Sequence, residues 1–340
     1  MNLRSSTNNF RWPSLAWLLL VSVLWMSNTN KCMASDVLDK NYNIRFEHSL
    51  SNTASAPATN LRVFIAVPSS CTWQSITDLK PLSERFPKPT LSEDQYGQAV
   101  YIFDVQQLNP GETVNLGYSC TAKFKDSDSA QVVRAVATKR AGSIIPPDIR
   151  QRYTLDSEKI YDLNNDLIQG LAREFYARYP EAEARARAIH YYCASTIKYT
   201  QEGHWESAPQ VLARREGSCS EFSYLFSALC RATGLPTRFA AGSRLRKALP
   251  YDDNQGHRWC EVYFPGRGWV PYDPTLDSKD LSQLRYVGRF FQPSLITFHG
   301  GGDSNLLGNA YNSTDSSSAR LKHTRTFYWR SQYGSSVSSY

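Results

Sequence analysis

The chain has 340 residues, of which 41% are hydrophobic and 20% are charged, so its composition is that of a globular protein and excludes disordered or fibrous classes. This length allows two ordinary domains, each with its own core. The formal net charge is +7, and without the first 34 residues it falls to +4, with 35 basic and 31 acidic residues. This charge is small and there is no aromatic-flanked basic stripe, so the sequence predicts no nucleic-acid partner.

The first 34 residues have the pattern of a secretory signal. Arg4 and Arg11 precede an apolar run over residues 14–26 that is too short to span a bilayer. Cys32 and Ala34 place small residues at positions −3 and −1 of a cleavage site after Ala34. The sequence therefore predicts a secreted or periplasmic protein with no integral membrane span after processing. An uncleaved anchor is the alternative.

The sequence of residues 35–145 predicts an all-β antiparallel sandwich domain. Apolar residues alternate along three segments of this region, and alternation with period two indicates strands that are buried on one face. The segments are Ile44-Phe46-His48-Leu50, Leu61-Val63-Ile65-Val67 and Val114-Leu116-Tyr118-Cys120-Ala122-Phe124. Cys71 follows one strand and is compatible either with a disulfide to Cys120 or with two buried free thiols.

After Pro146 and Pro147 the apolar spacing becomes helical, as in Leu167, Leu171 and Phe175, which predicts a second domain over residues 146–299. Two cysteines on helical stripes, Cys193 and Cys230, are predicted to be core residues. Beyond these residues, glycine and serine runs predict a polar, low-complexity tail over residues 300–340. The aromatic residues 327–329 within it have the character of a segment that docks back onto the body.

The segment around Cys219 predicts a helix that starts with a nucleophile. Ser218 and Glu221 fit a capping box, which makes Ser218 the N-cap and Cys219 the first helical residue. Gly234 and Pro236 end the helix after about four turns. A thiol at a helix N-terminus ionises more readily, since the helix dipole favours negative charge there.

A thiolate nucleophile needs a base and a group that orients the base, and the next strands supply both. The alternating segment that starts at His257 turns at residues 265–268 and returns toward Asp273. Side chains alternate along a strand, so the carboxylate reaches the imidazole only in one set of registers. We predict that Phe264 pairs with Gly268 or that Tyr263 pairs with Trp269, either of which sets Thr275 opposite His257. Phe264 paired with Trp269 forbids the contact.

These segments together resemble the transglutaminase-like superfamily. The family pattern begins with Gly-x-Cys at a helix start and continues through three further motifs, all of which have counterparts here. They are Gly217-Ser218-Cys219, Gly234-Leu235-Pro236-Thr237-Arg238, His257-x-Trp259-x-Glu261-Val262 and Gly268-Trp269 followed by Asp273-Pro274-Thr275. The resemblance covers roughly residues 146–280 and implies an α+β fold with a papain-like transglutaminase core. It implies that Cys219, His257 and Asp273 are nucleophile, base and orienting carboxylate.

The resemblance also implies that the indole of Trp205 donates to the oxyanion, although a packed aromatic is an equal interpretation of this residue. Cross-linking members have Trp where this chain has Ser220, and no acidic loop has calcium-ligand spacing. No cofactor or metal is therefore implied. Glu221 and Glu261 are interpreted as a cap and a strand residue rather than as catalytic acids.

The implied function is a secreted thiol acyl-transfer enzyme that acts on peptide or glutamine-type amides of a protein or peptide substrate. Either hydrolysis, as in a protease or amidase, or transfer to an amine resolves the thioester. A papain-type protease is the enzymatic rival, but Glu216 and Ser220 stand at positions that differ from its cysteine motif. The alternative from another class is a catalytically inactive extracytoplasmic binding or structural protein.

Overall fold

The computed structural model describes residues 41–82, 88–93, 97–125, 144–155, 159–290, 292–300 and 321–332. The predicted signal segment and the predicted cleavage site after Ala34 lie outside the described residues. The described chain has the predicted α+β class, with antiparallel sheets first and a core of helices on a sheet after them.

Two antiparallel sheets form the sandwich. Their strands are Asn41–Asn52 (β1), Ala58–Ala66 (β2), Gln74–Leu82 (β3), Thr90–Glu93 (β4), Ala99–Leu108 (β5) and Thr113–Phe124 (β6), joined by Tyr251–Asp253 (β10) and Leu321–Ser331 (β14) from later in the chain. One sheet has the order β10-β14-β1-β6-β3 and the other has the order β2-β5-β4. The predicted segment of residues 35–145 is therefore not the whole of this unit.

Alternation of apolar residues builds the core between these two sheets. Every second residue of β1 is buried, including Ile44 and Phe46, and the same pattern occurs in β6. Phe103 of the facing sheet belongs to the same apolar cluster as Phe46. The period-two pattern in the sequence predicted this arrangement because side chains of a strand point alternately to its two faces.

The second unit packs helices against an antiparallel sheet of four strands. The helices are Pro147–Thr154 (α1), Asp166–Arg178 (α2), Ala182–Thr196 (α3), Ala208–Arg214 (α4), Cys219–Ala232 (α5) and Pro274–Asp277 (α6). The sheet has the order β12-β11-β9-β13, built from Thr237–Arg244 (β9), His257–Phe264 (β11), Gly268–Tyr272 (β12) and Ser294–Gly300 (β13). A short parallel pair, Lys198–Tyr199 (β7) and Glu216–Gly217 (β8), precedes α5.

Helix α5 is the centre of the second core. Its residues 220–231 are all buried, and they share one cluster with side chains of α2, α3, β9, β11 and β12. Cys193 and Cys230 are both fully buried there, which confirms the prediction for these two thiols. In α2 the buried face is Ile168, Ala172 and Phe175, so the predicted stripe is wrong for Leu167, which is 56% exposed.

The hairpin of β11 and β12 has the predicted register. Tyr263 pairs with Trp269 and Phe264 pairs with Gly268. Gly268 has a φ of 73°, the left-handed conformation that the odd-numbered loop requires. The predicted position of Thr275 is wrong, because the ladder ends at Tyr272 and the chain turns into α6 before it comes opposite His257.

Two glutamine side chains join the sandwich to the second unit. The amide of Gln74 donates to the carbonyl of Ile296 in β13 at 2.8 Å and accepts from the N–H of the same residue at 2.8 Å. Gln98 donates to Val67 at 2.9 Å and accepts from the N–H of His299 at 3.0 Å. Strand β13 is thereby bonded to both parts of the molecule.

The predicted polar tail is wrong for its described residues. Strand β14 pairs with β1 over eleven residues, from Tyr42 opposite Ser331 to Asn52 opposite Leu321. Phe327 and Trp329 are buried in the sandwich core, so the aromatic segment docks on the body. His323 and Arg325 are polar residues on the same face of β14 as Phe327 and Trp329, so they interrupt its alternation in the sequence. The pairing with β1 is too distant along the chain for a local pattern to show it.

The cysteines in the described part of the chain are all free thiols. Cys71 is half-buried and Cys120 is buried in the sandwich, so the free-thiol alternative for this pair is the one that the structure shows. Burial raises the pKa of the Cys120 thiol to about 12. Among the described residues, no helix combines the length and the apolar character that a membrane crossing requires.

Candidate functional site

Cys219 lies at the start of α5, as predicted. Ser218 is the N-cap, and its side chain accepts from the N–H of Ser220. The carboxylate of Glu221 accepts from the N–H and the hydroxyl of Ser218 at 2.9 and 2.6 Å, which completes the capping box. As the first helical residue, Cys219 has an N–H with no acceptor inside the helix. The thiol and this N–H therefore stand together at the positive end of the helix dipole.

His257 lies between Cys219 and Asp273. Its Nε2 is 2.5 Å from Oδ2 of Asp273. The ring is also near enough to the Cys219 thiol that each group shifts the pKa of the other. The other carboxylate oxygen of Asp273 accepts from the N–H of Leu276, so Asp273 is the N-cap of α6. With Nε2 engaged by the carboxylate, Nδ1 is the ring nitrogen available to the thiol. The three residues predicted from the motifs are thus brought into one chain of contacts.

The charges of the three groups support one another against burial. Burial acts to raise the pKa of Cys219, but the hydrogen bond and charge of His257 outweigh it, and the pKa lies below its usual value. Burial acts to lower the pKa of His257, whereas the charge and hydrogen bond of Asp273 raise it above the usual value. For Asp273 burial is likewise outweighed by His257, which lowers the pKa of the carboxyl. Both shifts favour a thiolate beside an imidazolium over the neutral pair.

Glu221 does more than cap the helix. Its Oε1 accepts from the backbone N–H groups of His204 and Trp205 at 2.9 and 2.8 Å. Trp205 has a φ of 56°, which is unusual for a residue with a side chain, and these two hydrogen bonds hold the loop in that conformation. One buried carboxylate therefore fixes both the helix start that carries Cys219 and the loop that carries Trp205.

A cavity of about 320 Å³ opens over these groups. Cys219, His257 and Trp205 all line it. The indole of Trp205 is 48% exposed and lies under the guanidinium of Arg258, whose Cζ is 4.9 Å from the ring centroid. Three of the four predicted site residues therefore line one cleft, and the fourth, Asp273, is buried and contacts His257.

Comparison with known proteins agrees with this geometry. The family model described as "Transglutaminase-like superfamily" matches residues 169–274, the stretch that contains Cys219, His257 and Asp273. These residues form a transglutaminase-like domain. The structure of a candidate cysteine protease from Cytophaga hutchinsonii superimposes with a TM-score of 0.61 at 17% identity, covering 86% of this chain and 91% of that chain. At this identity the similarity establishes the shared fold.

Two further similarities are more limited. YebA, an uncharacterised protein of Bacillus subtilis (strain 168), is 35% identical over 69 residues, which are 17% of this chain and 9% of that protein. The chain thus matches less than a tenth of the length of this relative. The periplasmic domain of TgpA from Pseudomonas aeruginosa is 15% identical, covers 78% of this chain and 97% of that chain, and has a TM-score of 0.37. That score is too low to establish a common fold.

Within the transglutaminase-like domain, Glu261 of the histidine motif is structural. It is fully buried on β11 and forms an ion pair with Arg238 at 2.6 Å. His299 lies 3.2 Å from the same carboxylate oxygen. Burial acts to raise the pKa of Glu261, but the charges of Arg238 and His299 outweigh it and lower the value to about 2. The strand-residue interpretation of Glu261 agrees with this ion pair, which also accounts for Arg238 in the preceding motif.

Arg246 and Asp253 are site residues that sequence reasoning missed. Nη1 of Arg246 lies 2.6 Å from Oδ1 of the buried Asp253, and Nη2 donates to the carbonyl of Gly256 at 2.5 Å. Asp253 also accepts from the N–H groups of Gln255 and Gly256, so it shapes the loop directly before His257. Strand β10 and this loop belong to no family motif, and only the residue types Arg, Asp and Gly near His257 signal the cluster.

Proposed function

We propose that this chain is an extracytoplasmic cysteine hydrolase of transglutaminase-like type that cleaves peptide or glutamine-type amides through Cys219, His257 and Asp273. The observation that carries the proposal is the position of His257, which bonds to the carboxylate of Asp273 and lines the same cavity as Cys219, whose thiol pKa it lowers. A nucleophile, a base and a group that orients the base, arranged in that order, are what acyl transfer requires.

In the proposed reaction the thiolate of Cys219 attacks the carbonyl carbon of the amide. The carbonyl oxygen gains the negative charge, which the N–H of Cys219 and the indole N–H of Trp205 receive. One such donor contributes about 3 to 4 kcal/mol to stabilising the transition state. The C–N bond then breaks, and the imidazolium of His257 gives its proton to the departing amine. This step leaves a thioester on Cys219 and a neutral His257.

Water resolves the thioester in the second half of the reaction. His257 takes a proton from water as the hydroxyl attacks the carbonyl, and the acid leaves as the Cys219–acyl bond breaks. Asp273 holds the ring orientation in both halves. Polar side chains, among them Gln201, Ser220 and Asn254, line the cleft beside Cys219 and support access for water. A primary amine in place of water converts the same reaction to transamidation.

The test is a product analysis. The protein that begins at residue 35 is incubated with glutamine-containing peptides, with and without a fluorescent primary amine, and the products are identified by mass spectrometry. We expect cleaved or deamidated peptides that are absent with Cys219→Ala and present with Cys71→Ala, the matched free-thiol control. Amine adducts in excess of hydrolysis would assign the chain to transamidases. Absence of both products, or products that persist with Cys219→Ala, contradicts the proposal.

Location outside the cytoplasm is also part of the proposal, and it rests on the signal pattern of residues 1–34. N-terminal sequencing of the protein from a secreting host is expected to start at residue 35, after Ala34. An intact N-terminus recovered from the cytoplasm contradicts the location without affecting the assignment of the catalytic residues.

A further inference from the structure

The ionisable side chains of Arg, His, Asp or Glu type that line the cleft containing Cys219 are all basic. Two arginines, Arg246 and Arg258, line it together with His257, and none of the described residues lining it is an aspartate or a glutamate. Asp253 is 1% exposed and Glu221 is fully buried behind this lining. Glu202 is exposed between Gln201 and Gly203 but does not line the cavity. A substrate group that enters the cleft therefore meets guanidinium donors and no carboxylate at the surface.

Arg246 is held in place before any substrate binds. Asp253, which fixes the guanidinium, itself accepts from the hydroxyl of Ser243 at 2.7 Å. That hydroxyl in turn accepts from the indole of Trp329 at 2.8 Å, so the chain of bonds ends in the buried strand β14. A guanidinium that is already ordered loses little further freedom when it binds an anion.

Arg246 also has N–H groups left that can donate hydrogen bonds to a ligand. A guanidinium has five N–H groups, and the hydrogen bonds to Asp253, Gly256 and Tyr251 engage three of them. The side chain is 25% exposed, whereas its counter-ion is buried. The positive partner of this ion pair is thus the one that faces the cleft.

Arg246 and the nucleophile are neighbours across the cleft. Both residues line the cavity of about 320 Å³, and Tyr199 lines it with them. On the other side of Cys219, the charge of Arg258 helps to lower the pKa of the thiol. The two guanidinium groups therefore line the same cavity as the nucleophile.

We propose that the substrate carries a carboxylate next to the scissile amide and that Arg246, with Arg258, binds it. This inference rests on the proposed function, because it concerns the same cleft. Planar guanidinium groups match carboxylates with two parallel hydrogen bonds, and charge-assisted bonds of this kind are the strong ones. The carboxylate comes either from an aspartate or glutamate side chain or from the free C-terminus of a short peptide.

Matched peptide pools test the proposal. One pool has Glu at the positions that flank a central glutamine and the other has Gln there, and each is made with a free and with an amidated C-terminus. We expect kcat/KM to be about ten- to a hundredfold higher for the pool that carries the carboxylate, through a lower KM. A preference for the Glu pool in both C-terminal forms identifies a side chain. A preference for the free over the amidated C-terminus in both pools identifies the C-terminus, and the free and amidated forms are then the two pools compared below.

Variants show whether the arginines cause the preference. With Arg246→Gln we expect the ratio between the two pools to fall to about one, while Lys247→Gln, which removes an exposed cation one residue away, keeps the ratio of the wild type. An unchanged melting temperature confirms that each variant is folded. Equal kcat/KM values with the wild type in both comparisons, Glu against Gln and free against amidated C-terminus, or a preference that persists with Arg246→Gln, overturn the inference.

A binding measurement separates this inference from the proposed catalysis. Calorimetric titration of Cys219→Ala with the two pools needs no turnover, and we expect tighter binding of the carboxylate pool. If wild type turns over neither pool but Cys219→Ala still prefers the carboxylate, the catalytic proposal fails and the binding site stands. If both pools are turned over equally and bound equally, the catalysis stands and the carboxylate site is wrong.

Discussion

The transglutaminase-like domain contains two buried histidine–aspartate pairs whose carboxylates lie four residues apart. His257 and Asp273 are 2.5 Å apart at the cleft, and His190 and Asp277 are 2.8 Å apart in the core between α3 and α6. The two pairs differ in what the second ring nitrogen of the histidine contacts. That of His257 faces the thiol of Cys219, whereas Nδ1 of His190 is buried without a hydrogen-bond partner in the described structure. A histidine–carboxylate pair can therefore act in catalysis only where a reactive group, here a thiol, lies at the second ring nitrogen.

The pair in the core supports the pair at the cleft. Asp277 accepts from the N–H groups of Arg285 and Tyr286 at 2.9 and 3.0 Å. The carbonyl of Tyr286 then accepts from the N–H of Asp273 at 3.0 Å. His190 and Asp277 thus fix the turn that carries Asp273. We interpret the first pair as catalytic and the second pair as structural.

Substitution of each aspartate by asparagine gives the largest expected difference between the two pairs. Asp273→Asn is expected to reduce turnover of a cleaved peptide about 10⁴-fold, because an amide no longer holds the imidazole in the required tautomer. Asp277→Asn is expected to keep activity within about tenfold of wild type and to lower the melting temperature instead. Asp280→Asn, at an exposed aspartate three residues further on, is the control. A loss for Asp277→Asn equal to that for Asp273→Asn, without a change in melting temperature, contradicts the distinction.

Removal of the core histidine tests the structural role directly. His190→Ala leaves Asp277 buried without its partner, and we expect it to lower the free energy of unfolding by about 3 to 5 kcal/mol. His190→Gln, which can still donate to the carboxylate, is expected to recover part of this loss. Urea denaturation at neutral pH measures both variants against His204→Ala, a change at an exposed histidine. A loss below about 1 kcal/mol for His190→Ala means that the pair does not stabilise the core.

His48 adds a third case to the two histidine–aspartate pairs, because it is a buried histidine with no carboxylate partner. Neither ring nitrogen has a hydrogen-bond partner in the described structure. Burial, together with the charges of Arg325 and His323, lowers the pKa of His48 from 6.5 to about 3. The unfolded chain binds this proton near pH 6.5 and the folded chain does not, so stability is lost as the pH falls from 6.5 toward 3.

We expect one such proton to make the free energy of unfolding fall by up to about 1.4 kcal/mol per pH unit across that window. His48→Leu removes this contribution, so the difference between wild type and variant should change with pH by this slope. Urea denaturation at several pH values measures it, with His204→Leu as the control. A difference that is constant with pH shows that His48 does not titrate on unfolding.

Local patterns predicted the parts of this molecule that local physics determines. The capping box placed Cys219 at the first position of α5, and the need for a shared strand face selected the register that pairs Phe264 with Gly268. Both predictions rest on interactions between residues that are close in sequence. The contact of His257 with Asp273 followed from the register, although α6 rather than a longer ladder sets the final position of the carboxylate.

Long-range pairing could not be predicted in the same way. Strand β14 joins β1 across almost the whole chain, and through Trp329 and Ser243 it reaches Asp253 beside the site. The bonds from Glu221 to the loop of Trp205 likewise depend on a tertiary contact between segments 16 residues apart. The sequence predicted a cap at Glu221, but a buried carboxylate accepts more bonds than its own helix offers.

The pH dependence of thiol alkylation tests the central claim most directly. Iodoacetamide modification of each cysteine is followed by mass spectrometry from mildly acidic to alkaline pH. Cys219, whose pKa is lowered by His257 against the effect of burial, is expected to react already at mildly acidic pH, whereas Cys71, whose pKa burial raises, reacts only at alkaline pH. His257→Ala is expected to move the reaction of Cys219 to higher pH. Parallel titration of the two thiols, or no change with His257→Ala, contradicts the assignment of Cys219 and His257 as the reactive pair.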